Sequence, residues 1–307
     1  MTSTERSVNL QSSICESSTL LLGAHMSISG GLDKAVGRGV GVGCTALQVF
    51  TKNASQWRAK PLADEDIGRF KEAVAASPID AGAVVAHDSY LINLGSPDPD
   101  KWAQSVAAFT DELRRCNQLG IPYLVTHPGA HMGAGEDAGL ARVAQGLARA
   151  LAEAGPETMV LLETTAGQGT YLGHRFAHLA RLIELTPDDR IGVCFDTCHA
   201  FVAGYEINTP EGYAATWDEF AREVGYDRLK VLHLNDAKKG LGSHVDRHEH
   251  IGQGQIGRAG FHLLMNDERL RGRPLLLETP KGDDCAEDRE NMAYLRALIG
   301  APMESEG

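Results

Sequence analysis

The chain has 307 residues, 43% of them hydrophobic and 23% charged, which suits a globular protein of one large barrel or two small domains. Its formal net charge of −12 argues against a diffuse basic surface for nucleic acid, while leaving room for a local cationic site. No apolar run reaches the roughly 18–20 residues that a membrane span requires.

The first stretch, MTSTERSVNLQSSICESST, is polar and carries both charge signs. Lacking a basic start followed by an apolar run, residues 1–18 read as a disordered extension rather than a signal peptide. Eight short Val/Leu/Ile-rich segments follow, at 20–25, 44–50, 82–87, 121–127, 159–163, 191–196, 229–234 and 274–279, each suited to a buried parallel strand. Helical stretches alternate with them at 32–41, 62–76, 99–119, 136–154, 174–185, 210–225, 259–269 and 286–299. The clearest is 99–119, where Trp102, Val106, Phe109, Leu113 and Cys116 fall on one face. Asp98 and Pro99 open it and Gly120 stops it. Strand then helix, eight times, predicts a single α/β domain over 19–302: a closed (β/α)₈ TIM barrel, with 303–307 as a flexible tail.

Seven of the eight strand segments run into a histidine or a carboxylate: His25, His87, His127, Glu163, Asp196 with His199, His233, and Glu278. Apolar strands ending in polar groups on one side are how a parallel barrel builds a site at the C-terminal face of its strands. An open doubly wound sheet would gather such groups at one crevice instead. Any one of these histidines alone is more often a hydrogen-bonded structural residue. Glu163 and Glu278 say more, because each ends an apolar run where an ionised carboxylate is costly unless paired or metal-bound. Asp246 and His248 alternate in VDRHEH, so both can project to one side of an extended segment. His244 and His250 of that loop read as solvated, and Gly252-Gln253-Gly254 as a turn cluster rather than a phosphate cradle.

The six cysteines, at 15, 44, 116, 194, 198 and 285, form no CxxC pair. With no export signal they fit reduced thiols and a cytoplasmic location. Cys194 and Cys198 flank Asp196, and on an extended segment would share its face, but packing is the better reading.

Taken together, the oxygen and nitrogen ligands are too many for one tetrahedral zinc and suit two or three divalent ions, with zinc or manganese favoured over magnesium by the imidazoles. Three divalent ions bring six positive charges against four carboxylates, leaving a positive pocket suited to phosphate. A bound water with its pKa lowered to roughly 7 would supply hydroxide, and phosphodiester hydrolysis is the reaction that most needs these effects.

From about Leu22 to Leu298 the chain resembles the endonuclease IV family of apurinic/apyrimidinic endonucleases. The resemblance rests on GAHMSISGG (23–31), FTKNASQW (50–57), HDSYLINLG (87–95), THPGAH (126–131), LLETTAGQGTYLG (161–173), CFDTCHAFVAGY (194–205), HLNDAKKGLGSHVDRHEHIGQGQIG (233–257) and LLLETP (275–280). It implies a (β/α)₈ barrel holding three zinc ions. His87, His127 and Glu163 would hold the first. Glu163, Asp196, His233 and Glu278 would surround the second, and His199, Asp246 and His248 the third. It further implies cleavage of double-stranded DNA on the 5′ side of an abasic site, leaving a 3′-hydroxyl and a 5′-deoxyribose phosphate. Removal of blocking groups from 3′ ends is implied as well. Glu163 could orient or deprotonate the nucleophile, and His25 could hold a ligand's orientation. Tyr90 and Leu91 stand where residues inserted into the damaged duplex are expected. Ser55 departs from an arginine common in the family, a gap that Lys52 or Arg58 could fill. A monomer is expected. The rival readings are a metal-dependent sugar isomerase or epimerase built on Glu163, Asp196, His233 and Glu278, and a damage-binding protein without turnover.

Overall fold

The computed structural model describes residues 20–303. The expected extension at 1–18 lies outside the described residues, as does the expected tail beyond residue 303.

Eight parallel strands close into a barrel: β1 (Leu22–His25), β2 (Ala46–Phe50), β3 (Val84–His87), β4 (Tyr123–Thr126), β5 (Met159–Glu163), β6 (Ile191–Asp196), β7 (Leu229–Leu234) and, as the eighth barrel strand, β10 (Leu275–Leu277). Neighbours follow chain order, and β10 pairs with β1 to close the ring. A two-residue antiparallel ribbon, β8 (Asp236–Ala237) with β9 (His248–Glu249), sits in the loop after β7. Nine helices are present among the described residues, all but the buried α6 on the outside: α1 (Leu32–Gly41), α2 (Asp64–Ala75), α3 (Pro99–Leu119), α4 (Glu136–Ala154), α5 (Phe176–Leu185), α6 (Thr197–Ala203), α7 (Pro210–Glu223), α8 (Gly257–Met265) and α9 (Ala286–Leu298).

Side chains alternate across a strand, so every second residue faces the barrel axis. Ala46, Ala83, Val85, Val125, Leu161, Cys194, Val231 and Leu276 form a buried apolar cluster separate from the larger core between strands and helices. Each such Val or Leu contributes about 1.5–3 kcal/mol by leaving water. Two residues further along the same strands stand Gln48, His87, His127, Glu163, Asp196, His233 and Glu278. The polar layer is thus the next tier of one stacked interior, laid on an apolar floor. Closing the ring needs a close approach at Gly23, where an added Cβ would lie 2.0 Å from the Ala46 carbonyl oxygen.

The α3 helix follows the sequence reading: Asp98 accepts from the Asp100 and Lys101 amides, and Gly120 leaves it at φ 73°. The α6 helix does not follow it. The D-x-x-H segment begins at the end of β6, as read, but Asp196 also caps a seven-residue helix there, its carboxylate accepting from the His199 amide at 2.7 Å. Too short to show a 3.6-residue apolar period, that helix carries His199 and turns Cys198 away from the extended path expected for it. Cys194 remains in the barrel interior, where burial pushes its thiol up to about 12.

Candidate metal centre

Glu163, fully buried, lies at the middle of the polar tier. Its Oε2 is 3.1 Å from both His87 Nε2 and His127 Nε2, and its Oε1 is 3.0 Å from His233 Nδ1. Burial would raise its pKa, but the charges of His233 and His127 and hydrogen bonds from His127 and His199 outweigh this and hold it well below the usual carboxylate range. Glu278 is held low in the same way, with burial opposed chiefly by His233. Burial disfavours charge on His87, yet Glu163 and the other nearby carboxylates raise it to about 10.

The second ring nitrogen of each histidine decides what the first can do. His87 Nδ1 donates to the Asp88 carbonyl at 2.9 Å, His199 Nδ1 to the Thr164 carbonyl at 2.9 Å, and His248 Nδ1 to the Glu278 carbonyl at 3.2 Å. His233 Nε2 donates to Gln48 Oε1 at 2.8 Å. In the neutral ring each then keeps a lone pair on the nitrogen facing the carboxylates. A lone pair against a carboxylate oxygen repels unless a cation, proton or metal, lies between them. His248 Nε2 sharpens the point: it is buried, has no hydrogen-bond partner, and lies 3.4 Å from Asp246 Oδ1. Fixing one imidazole nitrogen to free the other is how metal-binding histidines are oriented, so these residues fit a resident metal.

The ligand atoms fall into overlapping groups within 4.8 Å of one another: His87, His127 and Glu163; then Glu163, Asp196, His233 and Glu278; then Asp196, His199 and His248. Asp246 faces His199 Nε2 at 3.2 Å as well as His248, and burial is outweighed by the His199 hydrogen bond in lowering its pKa to about 2. Cys198 also comes within reach of Asp246 and His248. Its Sγ donates to the Arg247 carbonyl at 3.8 Å, and burial with the Asp196 charge pushes the thiol up, so it stays protonated.

Several supporting residues escaped the sequence reading. Gln48 donates to Glu278 Oε1 at 2.5 Å and to His25 Nδ1 at 3.0 Å, besides accepting from His233. It is the polar residue of the one strand that seemed to lack a ligand, and its position two residues after Ala46 was the available signal. Asn235 binds Asp196 Oδ2 at 2.6 Å and accepts from the Glu278 amide at 2.9 Å. Asp88, raised by burial to about 7, accepts from the Thr126 hydroxyl. His25 stays beside the ligands, 3.7 Å from Glu278.

Other expectations are corrected. Gly252-Gln253-Gly254 lies in a turn, as read, with one addition: the amides of Gly252, Gly254, Ile256 and Gly257 donate to the buried Asp236 carboxylate. His250 is half-buried against Asn291, while His244 is exposed yet donates to the Ala166 carbonyl. Lys52 cannot replace a missing cation near Ser55, since its ammonium is buried against Asp111 and Glu112 at 3.3 and 3.4 Å. Ser55 is exposed, its amide donating to Asn53 Oδ1. Tyr90 is exposed at the mouth of the centre and Leu91 half-buried. Glu136, His174 and His178 also cluster. There Arg175 donates to His178 Nε2 at 3.1 Å and pairs with Glu136, so this group already holds a fixed cation of its own.

The sequence matches the family described as xylose isomerase-like TIM barrel over residues 40–298. A probable endonuclease 4 of Chloroflexus aggregans is 58% identical over 90% of this chain and 97% of its own. One of Geobacter sulfurreducens is 51% identical over 91% and 94%. The crystal structure of endonuclease IV from Thermus thermophilus superimposes with a TM-score of 0.80 at 39% identity, covering 90% of this chain and 98% of that one. Sugar epimerases such as D-psicose 3-epimerase from Clostridium cellulolyticum share the fold alone, at 15% identity and a TM-score of 0.66. Identity this high along nearly the whole barrel leaves one conclusion: the chain belongs to the endonuclease IV family of apurinic/apyrimidinic endonucleases.

Proposed function

We propose that this DNA-repair hydrolase incises duplex DNA on the 5′ side of an abasic site, leaving a 3′-hydroxyl and a 5′-deoxyribose phosphate, and that it also trims blocked 3′ ends. In this reading it works as a monomer with three zinc ions, manganese being the alternative metal. The observation that carries it is the set of histidines whose outer nitrogens are tied to carbonyl or amide oxygens while their inner nitrogens face carboxylates. His87, His127 and Glu163 would hold one ion, Glu163, Asp196, His233 and Glu278 a second, and His199, Asp246 and His248 a third. When bound, divalent ions stabilise the charge that develops on attacking and departing oxygens and make water acidic enough to supply a nucleophile near neutral pH.

The chain's own residues do the rest. Glu163 directs one oxygen to the His87–His127 side and the other to the His233 side, which favours a bridging role. Gln48 and Asn235 keep His233, Asp196 and Glu278 from turning. The cleft above is lined by Tyr90, Asn93, His127, Gln168 and Arg247 and has a volume of about 590 Å³, enough for an extrahelical sugar phosphate. A sugar epimerase would leave His87, His127, His199, Asp246 and His248 without a task. The relatives at 51–58% identity also favour the nuclease.

The test is incision of an end-labelled duplex with one abasic analogue by zinc-loaded protein. Rapid cutting to an extendable 3′-hydroxyl supports the reading; no cutting despite bound zinc removes it. Glu163→Gln is expected to lose part of the metal and about 10²–10⁴-fold in rate. Full metal content together with full rate would refute the bridging role.

A further inference from the structure

Seven large apolar side chains are exposed among the described residues, and three of them, Tyr90, Met132 and Tyr171, line the cleft that also holds His87, His127, His199 and Asp246. Tyr90 is an expected DNA contact. Met132 and Tyr171 come from two other loops, and the metal centre makes no use of them.

Those two loops are locked together. The segments after β4 and β5 pair through an antiparallel bridge between Ala130 and Tyr171. The His131 amide donates to the Thr170 carbonyl at 3.0 Å and the Leu172 amide to the Gly129 carbonyl at 2.8 Å. Met132 is tied by its amide to Thr170 Oγ1 at 3.3 Å, with its sulfur 4.0 Å from the same hydroxyl. The result is a stiff ledge that keeps Met132 65% and Tyr171 46% exposed. Met132 also sits at φ 49°, a left-handed conformation that favours glycine, in a loop that places glycines at 129, 133 and 135. A large apolar side chain is therefore kept where glycine would sit without strain.

Exposed apolar groups held on a polar rim mark a binding surface. This one is continuous with the cleft of an enzyme that acts on DNA. Phosphates belong with the ligand tier, so a thioether and a phenol ring on the rim are left to meet the flat faces of bases. Beside an abasic nucleotide, a neighbouring base has lost a stacking partner. We infer that Met132 and Tyr171 form a stacking surface for bases next to the abasic nucleotide, and so help the enzyme prefer damaged over intact duplex. The inference rests on the reading that this cleft takes abasic DNA.

Steady-state incision of a duplex with one abasic analogue tests it, with zinc content measured alongside. Met132→Gly suits the backbone at φ 49° while deleting the side chain, so folding is not at risk. Combined with Tyr171→Ala, it is expected to raise KM about tenfold, the equivalent of one lost stacking contact, with kcat changed less than about twofold. Zinc content is expected to stay at the parent level, and Tyr171→Phe, which keeps the ring, to track the parent. An unchanged KM in the double variant, with a parent that cuts, overturns the inference alone. So does a joint fall of kcat and zinc content, which would make the ledge a prop for the metal centre. A parent that neither binds nor cuts abasic DNA overturns the underlying reading, and this inference with it.

Discussion

Two buried clusters of charge lie close together in this barrel and are built on opposite principles. Under the loop after β2, Glu112 is paired with Lys52, accepts from the Thr51 hydroxyl, and stands three residues from Arg115 on α3. Arg115 in turn donates to the Thr51 and Lys60 carbonyls. Every charge there meets a fixed countercharge or a carbonyl. Around Glu163 the arrangement differs: the carboxylates of Glu163, Asp196, Asp246 and Glu278 face histidines, whose charge depends on a proton. The first cluster is complete within the chain and pins a loop. The second is complete only with protons or ions added, and that incompleteness distinguishes a site from a scaffold. The Glu136–Arg175 pair obeys the same rule, which is why histidines beside it do not make a metal centre.

Breaking the closed cluster should cost fold and spare metal. Lys52→Met leaves Glu112 buried without its countercharge, at a cost of about 3–5 kcal/mol in denaturant unfolding, with zinc content per folded molecule unchanged. Burial already raises the Glu112 pKa, opposed first by Lys52. Without Lys52 it rises further, so the folded state binds more protons than the unfolded one and the deficit should grow as pH rises from the ordinary carboxylate range to neutrality. A deficit that shrinks over that range would contradict the pairing.

Perturbing the open cluster should do the reverse. Gln48→Leu removes the amide that orients His233, His25 and Glu278. Zinc affinity or incision should fall about 10–100-fold while unfolding stability changes little. A variant with normal zinc affinity and rate would reduce Gln48 to filler.

The smallest signal is a proton count. In the metal-free protein the carboxylates hold His87 protonated up to about 10, with His199 and His233 also raised, in each case against the opposing effect of burial. A metal must displace those protons. Zinc uptake at pH 8 should therefore release protons, read from calorimetric heats in buffers of different ionisation enthalpy, and affinity should fall as pH falls. Heats independent of buffer would show that the histidines bind metal from a neutral state.

Much of this was legible in the chain because a barrel strand has period two. An apolar run ending in Glu163, His233 or Glu278 fixes which face the carboxylate or imidazole takes, and eight apolar runs, seven of them ending so, fix the ring. What stayed hidden has a common character. The α6 helix was missed because seven residues give no periodic signal, and only the Asp196 cap reveals that His199 is delivered by a helix. Lys52 looked like a free cation because sequence does not record burial under α3. The glycines at 252 and 254 are the turn the sequence suggests, but that their amides serve Asp236 appears only in the fold.

The sequence by itself determined the barrel, the inward parity of its strands and the ligand types, because strand alternation and the cost of burying charge act residue by residue. Only the tertiary structure decided which nitrogen of His199, His233 and His248 is free, that Gln48 belongs to the same tier, and that Met132 and Tyr171 share one ledge. Those features depend on distances between segments tens to hundreds of residues apart, and such distances exist only once the ring has closed.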